Sequence, residues 1–238
     1  MVRRARNKVA ARAMPDTGTG RAYGEAEPAT GPLPAPIELP AARGMDELGV
    51  PTGFPPTQEG ALAQLTAIAT AAANSSSVPG VERVRQAWVA PGGPDAGEWT
   101  WRASMTHLLQ MLDTPLSGSA GTRITGRPLM GLVKDTGGLD VGTGWAVVCV
   151  DVALDLQVDG WTHHGVVADC QRMLWDGQRW LIGPGAIPAQ PVSQPWPGTD
   201  AAYEAGYRDL VTAAEAGDAA EPRGLQERPG ETAGQGAP

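Results

Sequence analysis

Three aspartates interrupt otherwise apolar stretches in the second half of the chain: Asp151, Asp155 and Asp169. A carboxyl enclosed by apolar side chains loses the hydration of its charged form. Its pKa then rises, and it can give or take a proton near neutrality. Such a carboxyl needs a partner base, and the chain has three histidines, His107, His163 and His164. Neighbouring positions on a strand point to opposite faces, so His163 and His164 do not share a metal ion easily. Placed just after an Asp-Gly turn, they read most simply as loop residues. His107 lies well off the apolar stripe of its helix, at the surface. The one constellation left is Asp151 or Asp169 with His107, and the competing reading is an exposed carboxylate on the polar face of a half-buried sheet.

The two cysteines, Cys149 and Cys170, are too few for a zinc site or a disulfide scaffold. Their spacing still carries information. Across a two-residue turn at Asp159-Gly160, paired residue numbers sum to 319, as do 149 and 170. The two thiols are therefore expected directly opposite each other on neighbouring strands. In a reducing cytosol they stay free and behave as small core side chains, whereas an exported domain can oxidise them.

No cofactor is implied. The glycine-rich stretches GSAGTRITG and LDVGTGWA lack the lysine of a phosphate loop, and no helix follows to offer its N-terminus. Tryptophan supplies eight of the twelve aromatic residues. Trp145, Trp161, Trp175 and Trp180 fall in the second half, and Trp88, Trp99 and Trp101 lie on or beside helices. Stacking platforms for nucleic acid interleave aromatics with Lys and Arg, but Lys134 is the only lysine outside the N-terminal arm. These indoles are expected to fill the core, with one or two at a protein interface. The net charge of −8 argues the same way. Arg3, Arg4, Arg6, Lys8 and Arg12 put +5 in the first twelve residues, leaving −13 for the rest. Contact with nucleic acid or an anionic surface would fall to that arm, which otherwise reads as a solvated start.

The elements that position these residues follow from periodicity. Thr57 caps a helix with Leu62, Leu65, Ile68 and Ala72 as its buried stripe. Pro79 opens a second, with Val81, Val84 and Trp88 inward. A third is expected from about Asp95 to Asp113, with Trp101, Met105, Leu108, Leu109 and Leu112 on one side. Strand character runs from Thr122 through Val133. It resumes from Trp145 to Ile182, where Asp159-Gly160 and Asp176-Gly177 mark hairpin turns. A last amphipathic helix is expected over 199–216, with Tyr203, Tyr207, Leu210, Val211 and Ala214 on one face. Residues 1–48 read as a disordered basic arm and Pro/Gly linker, 49–198 as one domain, and 217–238 as a disordered tail. The longest apolar run, Trp145–Val150, is far below the ~20 residues of a membrane helix, so no span is expected.

Helices followed by a bent antiparallel sheet give an α+β fold in the order of the nuclear-transport-factor-2-like cone, whose helices close the mouth of a curved sheet. The segments GVPTGFPPTQEGALAQ, WDGQRWLI and PWPGTDAAYEAGYRDL resemble those of actinobacterial proteins encoded on integrative and conjugative elements. That likeness covers roughly residues 48–211. It implies a nuclear-transport-factor-2-like domain similar to those of conjugation and type IV secretion machinery, working through protein partners or self-association. It brings no catalytic residue. The expectation is a non-enzymatic interaction component, with Trp145, Trp161, Trp175, Trp180, Tyr203 and Tyr207 as its structural and contact residues. The rival is a small-molecule enzyme or binder of the same fold, using a pocket Asp/His pair. The expected location is the cytoplasm, with peripheral attachment to a membrane complex as the alternative.

Overall fold

The computed structural model describes residues 7–14, 26–139, 144–185, 187–190 and 195–212. Helix α1 (Gln58–Asn74) starts where Thr57 accepts a hydrogen bond from the Gly60 amide at 3.1 Å. It is rich in alanine and buried on nearly every side, because it lies between the main sheet and the chain segment that precedes it. Short side chains let its backbone approach both. Helix α2 (Val78–Trp88) is capped by Ser77, which accepts from the Gly80 amide at 3.2 Å. Helix α3 (Thr100–Met111) buries Trp101, Met105, Leu108 and Leu109. It begins later than its sequence suggests. The Asp95 carboxylate accepts from the Gly97 and Glu98 amides and holds that segment as a turn.

The main sheet contains β1 (Ile37–Leu39), β4 (Thr122–Gly137), β5 (Trp145–Val158), β6 (Trp161–Trp175), β7 (Trp180–Ile182) and β8 (Arg208–Thr212), in the order β1-β8-β4-β5-β6-β7. A small hairpin of β2 (Gly44–Met45) and β3 (Pro51–Thr52) lies apart. All pairings in the main sheet are antiparallel except β1 with β8, so the fold is α+β with a mixed sheet. Register shifts in β4 at Pro128/Met130 and Val133/Asp135 insert extra residues, the usual device for bending a strand.

The two faces of the sheet do different work. Ala146, Val148, Val150, Val152, Leu154 and Leu156 of β5 join the core under the helices. The alternate residues Trp145, Val147 and Cys149 face the other way, into two smaller clusters. The Asp159-Gly160 turn has φ of 47° and 87°, both positive as a type I′ hairpin requires, and Val158 pairs with Trp161. The Asp176-Gly177 loop is longer. Trp175 pairs with Trp180, and the Asp176 carboxylate accepts from the Gln178 and Arg179 amides at 2.8 Å each.

Two expectations give way at the ends of the chain. The expected helix over 199–216 is only one turn, α4 (Asp200–Glu204), followed by β8. Gly206, at φ 100°, ends the helix, and the β-branched Val211 and Thr212 continue as strand beside β1. Residues 213–216 and 217–238 lie outside the described residues. At the other end, residues 7–14 and 26–48 do not stand apart from the domain as a disordered arm. Residues 7–10 form a helical turn whose Val9 and Ala10 pack on Trp145 and Val147, and Met14 reaches the cluster of Cys149 and Tyr207. Arg172 donates to Asn7 at 3.0 Å, and Arg12 pairs with Asp135 at 3.6 Å. Arg3, Arg4 and Arg6 lie outside the described residues, while Lys8 is at the surface of this turn.

Candidate functional site

The expected acid–base pair is not assembled. Asp169 lies on the helix-facing side of β6 and is fully buried. Its carboxylate accepts from Gln171 Nε2 at 2.6 Å and from the Trp99 indole N–H at 3.4 Å. Trp99 is the N-cap residue of α3 and offers no side-chain cap of its own, so a carboxylate from β6 sits where the first turn has positive character. Burial pushes the Asp169 pKa up to about 6, against the pull of Gln171, Trp99, Trp101 and Thr100 toward the charged form. His107 does not reach it. It is exposed on α3, away from the stripe of Trp101 and Met105 that lines the interior.

Asp151, also fully buried, lies on the opposite face of the sheet, in line with Cys149 along β5. The sheet itself therefore separates the two candidate carboxylates. Asp155 is the third, and it serves a surface ion cluster. It accepts from His164 Nδ1 at 2.9 Å and pairs with Arg127 at 3.3 Å across three adjacent strands. His163 is exposed beside it, on the other face. Among the described residues, no three His, Cys, Asp or Glu side chains come together as a metal site.

Cys149 and Cys170 occupy the expected register pair and are joined as a disulfide. Both are fully buried under α4 and the residues leading to β8, with Met130, Ala202 and Tyr207 as neighbours. Tyr207 is enclosed with them, and burial with the nearby Asp151 and Asp169 drives its pKa upward. Tyr203 donates to Asp209 at 2.8 Å; burial and that carboxylate push its pKa up to about 12. Neither tyrosine stands on an exposed helical face, because the residues that carry them fold down as a strap over the bridge.

The indoles divide in the same way. Trp88, Trp99, Trp101 and Trp180 are fully buried and Trp145 nearly so. Trp180 donates to the Pro55 carbonyl at 2.8 Å and meets the half-buried Trp175 edge-on at 5.5 Å. Trp88 donates to Asp46 at 2.9 Å with the Arg179 guanidinium over its ring. Trp161 alone among these is out in solvent, 75% exposed at the tip of the β5–β6 hairpin.

That hairpin ends in an edge that residue types did not signal. β6 has fifteen residues and β7 three, so β7 covers only Met173, Leu174 and Trp175. Among the described residues no strand pairs with the other side of β6 from Trp161 to Val167, a stretch that is exposed or half-buried throughout. The signal was available in the sequence as a difference in strand length, since the glycines after Ile182 stop β7 early. A second concavity lies on the far side of α1. It is an apolar pocket of about 420 Å³ with Ala63, Ala67 and Thr70 on one wall and Leu39 and Phe54 on the other.

No protein-family model, no curated protein and no solved structure matches this chain. Among the described residues, no helix is long and apolar enough to cross a membrane.

Proposed function

We propose that this chain is a non-enzymatic protein-interaction component of a mobile-element transfer system, built on a nuclear-transport-factor-2-like cone. The observation that carries the non-enzymatic part is the sealed interior. The space between helices and sheet, where such a fold would hold a reaction, is filled by Trp99, Trp101, Met105 and Trp180, and its one carboxylate has no histidine beside it. The contact part rests on the exposed Trp161 beside the uncovered side of β6, since indoles on a surface are what interfaces bury. The transfer setting rests on the resemblance of the segments around Gly53–Ala61 and Trp175–Trp180. The closed Cys149–Cys170 bridge favours work in an oxidising compartment, peripheral to a membrane complex, over the cytoplasm.

The test is a photo-activated cross-linking residue placed at position 161 in the native host, with position 107 as an exposed control. Cross-links to a defined protein from 161 and not from 107 are the expected result. Equal yields from both positions, or none from either, contradict it.

A second reading has an observation of its own, the apolar pocket beside α1. Its volume falls in the range of small-molecule sites, and its walls are alanine and leucine with few polar groups. An apolar small molecule retained through purification and seen by native mass spectrometry would favour that reading.

A further inference from the structure

We infer that the groove along the far side of α1 is a binding site for a long-chain carboxylate, its alkyl chain lying over the alanine stripe and its head group at Arg83. This names the ligand of the pocket reading above and rests on it. Ala63, Ala67, Thr70, Ala71 and Asn74 recur at helical spacing and line the apolar pocket of about 420 Å³, with Leu39 and Phe54 opposite. No Asp, Glu, Lys or Arg is among the described residues that line it. The Thr70 hydroxyl donates to the Thr66 carbonyl at 2.8 Å, and the Thr66 hydroxyl is shut off from solvent, so the threonines lend this wall little polarity. Such a wall rewards the removal of CH₂ groups from water and offers a charged group nothing to bind.

A second hollow of about 340 Å³ adjoins this pocket, because Gly49, Ala71 and Asn74 line both. Its polar side chains present donors. Asn74 Oδ1 accepts from the Gly126 amide at 2.8 Å, which fixes the orientation of the side chain and leaves Nδ2 without an acceptor among the described residues. Ser75 turns its hydroxyl to the Ala72 carbonyl at 2.8 Å. Arg83 is the one charged residue among those described on this wall, and it forms no ion pair among the described residues. The acids of the same surface leave it free. Glu82 is held by Arg85 at 2.7 Å, and Asp46 accepts from Leu48, Val50 and Trp88. Glu47, in the neighbouring hollow, likewise forms no ion pair among the described residues. Donors without acceptors at one end of an apolar groove call for an anion, and a guanidinium takes a carboxylate through two parallel hydrogen bonds. Asn74 and Arg83 are exposed, so the head group keeps part of its hydration. From Ala63 to Asn74 the helical rise gives roughly 16 Å, which suits an extended chain and not a compact ring system.

Isothermal titration calorimetry of the full chain with decanoate, and with decanol as its uncharged counterpart, tests the assignment. Decanoate is expected to bind saturably, one per chain, and more tightly than decanol. Arg83→Gln, at an exposed position, is expected to weaken decanoate binding about tenfold and to leave decanol binding unchanged. Thr70→Phe fills the groove from a half-buried position, and is expected to abolish binding of both probes while circular dichroism and melting stay near the parent. Ala71→Leu serves the same purpose if that variant folds poorly. Equal affinity for acid and alcohol, or decanoate binding unchanged in Arg83→Gln, overturns the carboxylate assignment and leaves the apolar pocket standing. No saturable binding of either probe, or binding unchanged in both folded groove variants, overturns the site and the pocket reading with it.

Discussion

Asp169 is a carboxyl whose role changes once its surroundings are known. The sequence marks it as a polar interruption of an apolar strand, which fits either a buried acid or a solvent-facing one. Burial decides for the first, and the absence of a nearby histidine removes the proton partner that chemistry would need. What remains is an anchor between β6 and the start of α3, with a consequence for stability. The folded-state pKa of about 6 lies above the ordinary 3.8, so between those values the folded chain holds a proton that the unfolded chain has released. Its contribution is present in full below pH 3.8 and is lost as pH rises through 6, a fall of ~3 kcal/mol. Asp169→Asn removes that loss. Melting temperatures at pH 4 and pH 7 should differ less for the variant than for the parent, with the variant gaining at pH 7. Parallel pH profiles would contradict the assignment. Other residues were less legible, because their exposure depends on distant parts of the chain. Trp161 and Trp180 are alike in sequence, yet one stands in solvent and the other donates to Pro55 across the fold.

Among the elements, the β5–β6 hairpin was the most readable. Asp159-Gly160 accepts two positive φ angles, which permits a two-residue turn and so fixes the pairing of Cys149 with Cys170. The element that covers this pair departs from its helical spacing for a physical reason. Tyr203, Tyr207, Leu210 and Val211 recur at helical spacing, but a glycine at φ 100° lies among them and the β1 edge offers backbone bonds to the residues that follow. Tertiary pairing overrode a short local period. The resulting strap makes a prediction of its own. Because both sulfurs are fully buried beneath it, reductant reaches the bridge only when α4 and the residues leading to β8 lift away. Thiol release by dithiothreitol should be slow in native buffer and accelerate sharply at denaturant concentrations below the main unfolding transition. Rapid release in native buffer, at the rate of the unfolded chain, would mean that the strap does not cover the bridge.

At the scale of the whole molecule, α1 is enclosed by the sheet on one side and the preceding residues on the other, and residues 7–14 close part of the sheet's far face. The order of elements was visible in the sequence because helical and strand periods are local. The docking of residues 7–14 was not, since a single helical turn with two small apolar residues has no period to detect. Nor was the uncovered side of β6, which depends on where β7 stops. That edge is the centre of the functional account, and residue-resolved amide exchange in dilute solution tests it most directly. Along β6, Thr162 and Val166 should exchange rapidly while His163 and Gly165, bonded to β5, are protected. Uniform protection from Thr162 to Val166 at high dilution would show the edge already covered within one chain and contradict the account.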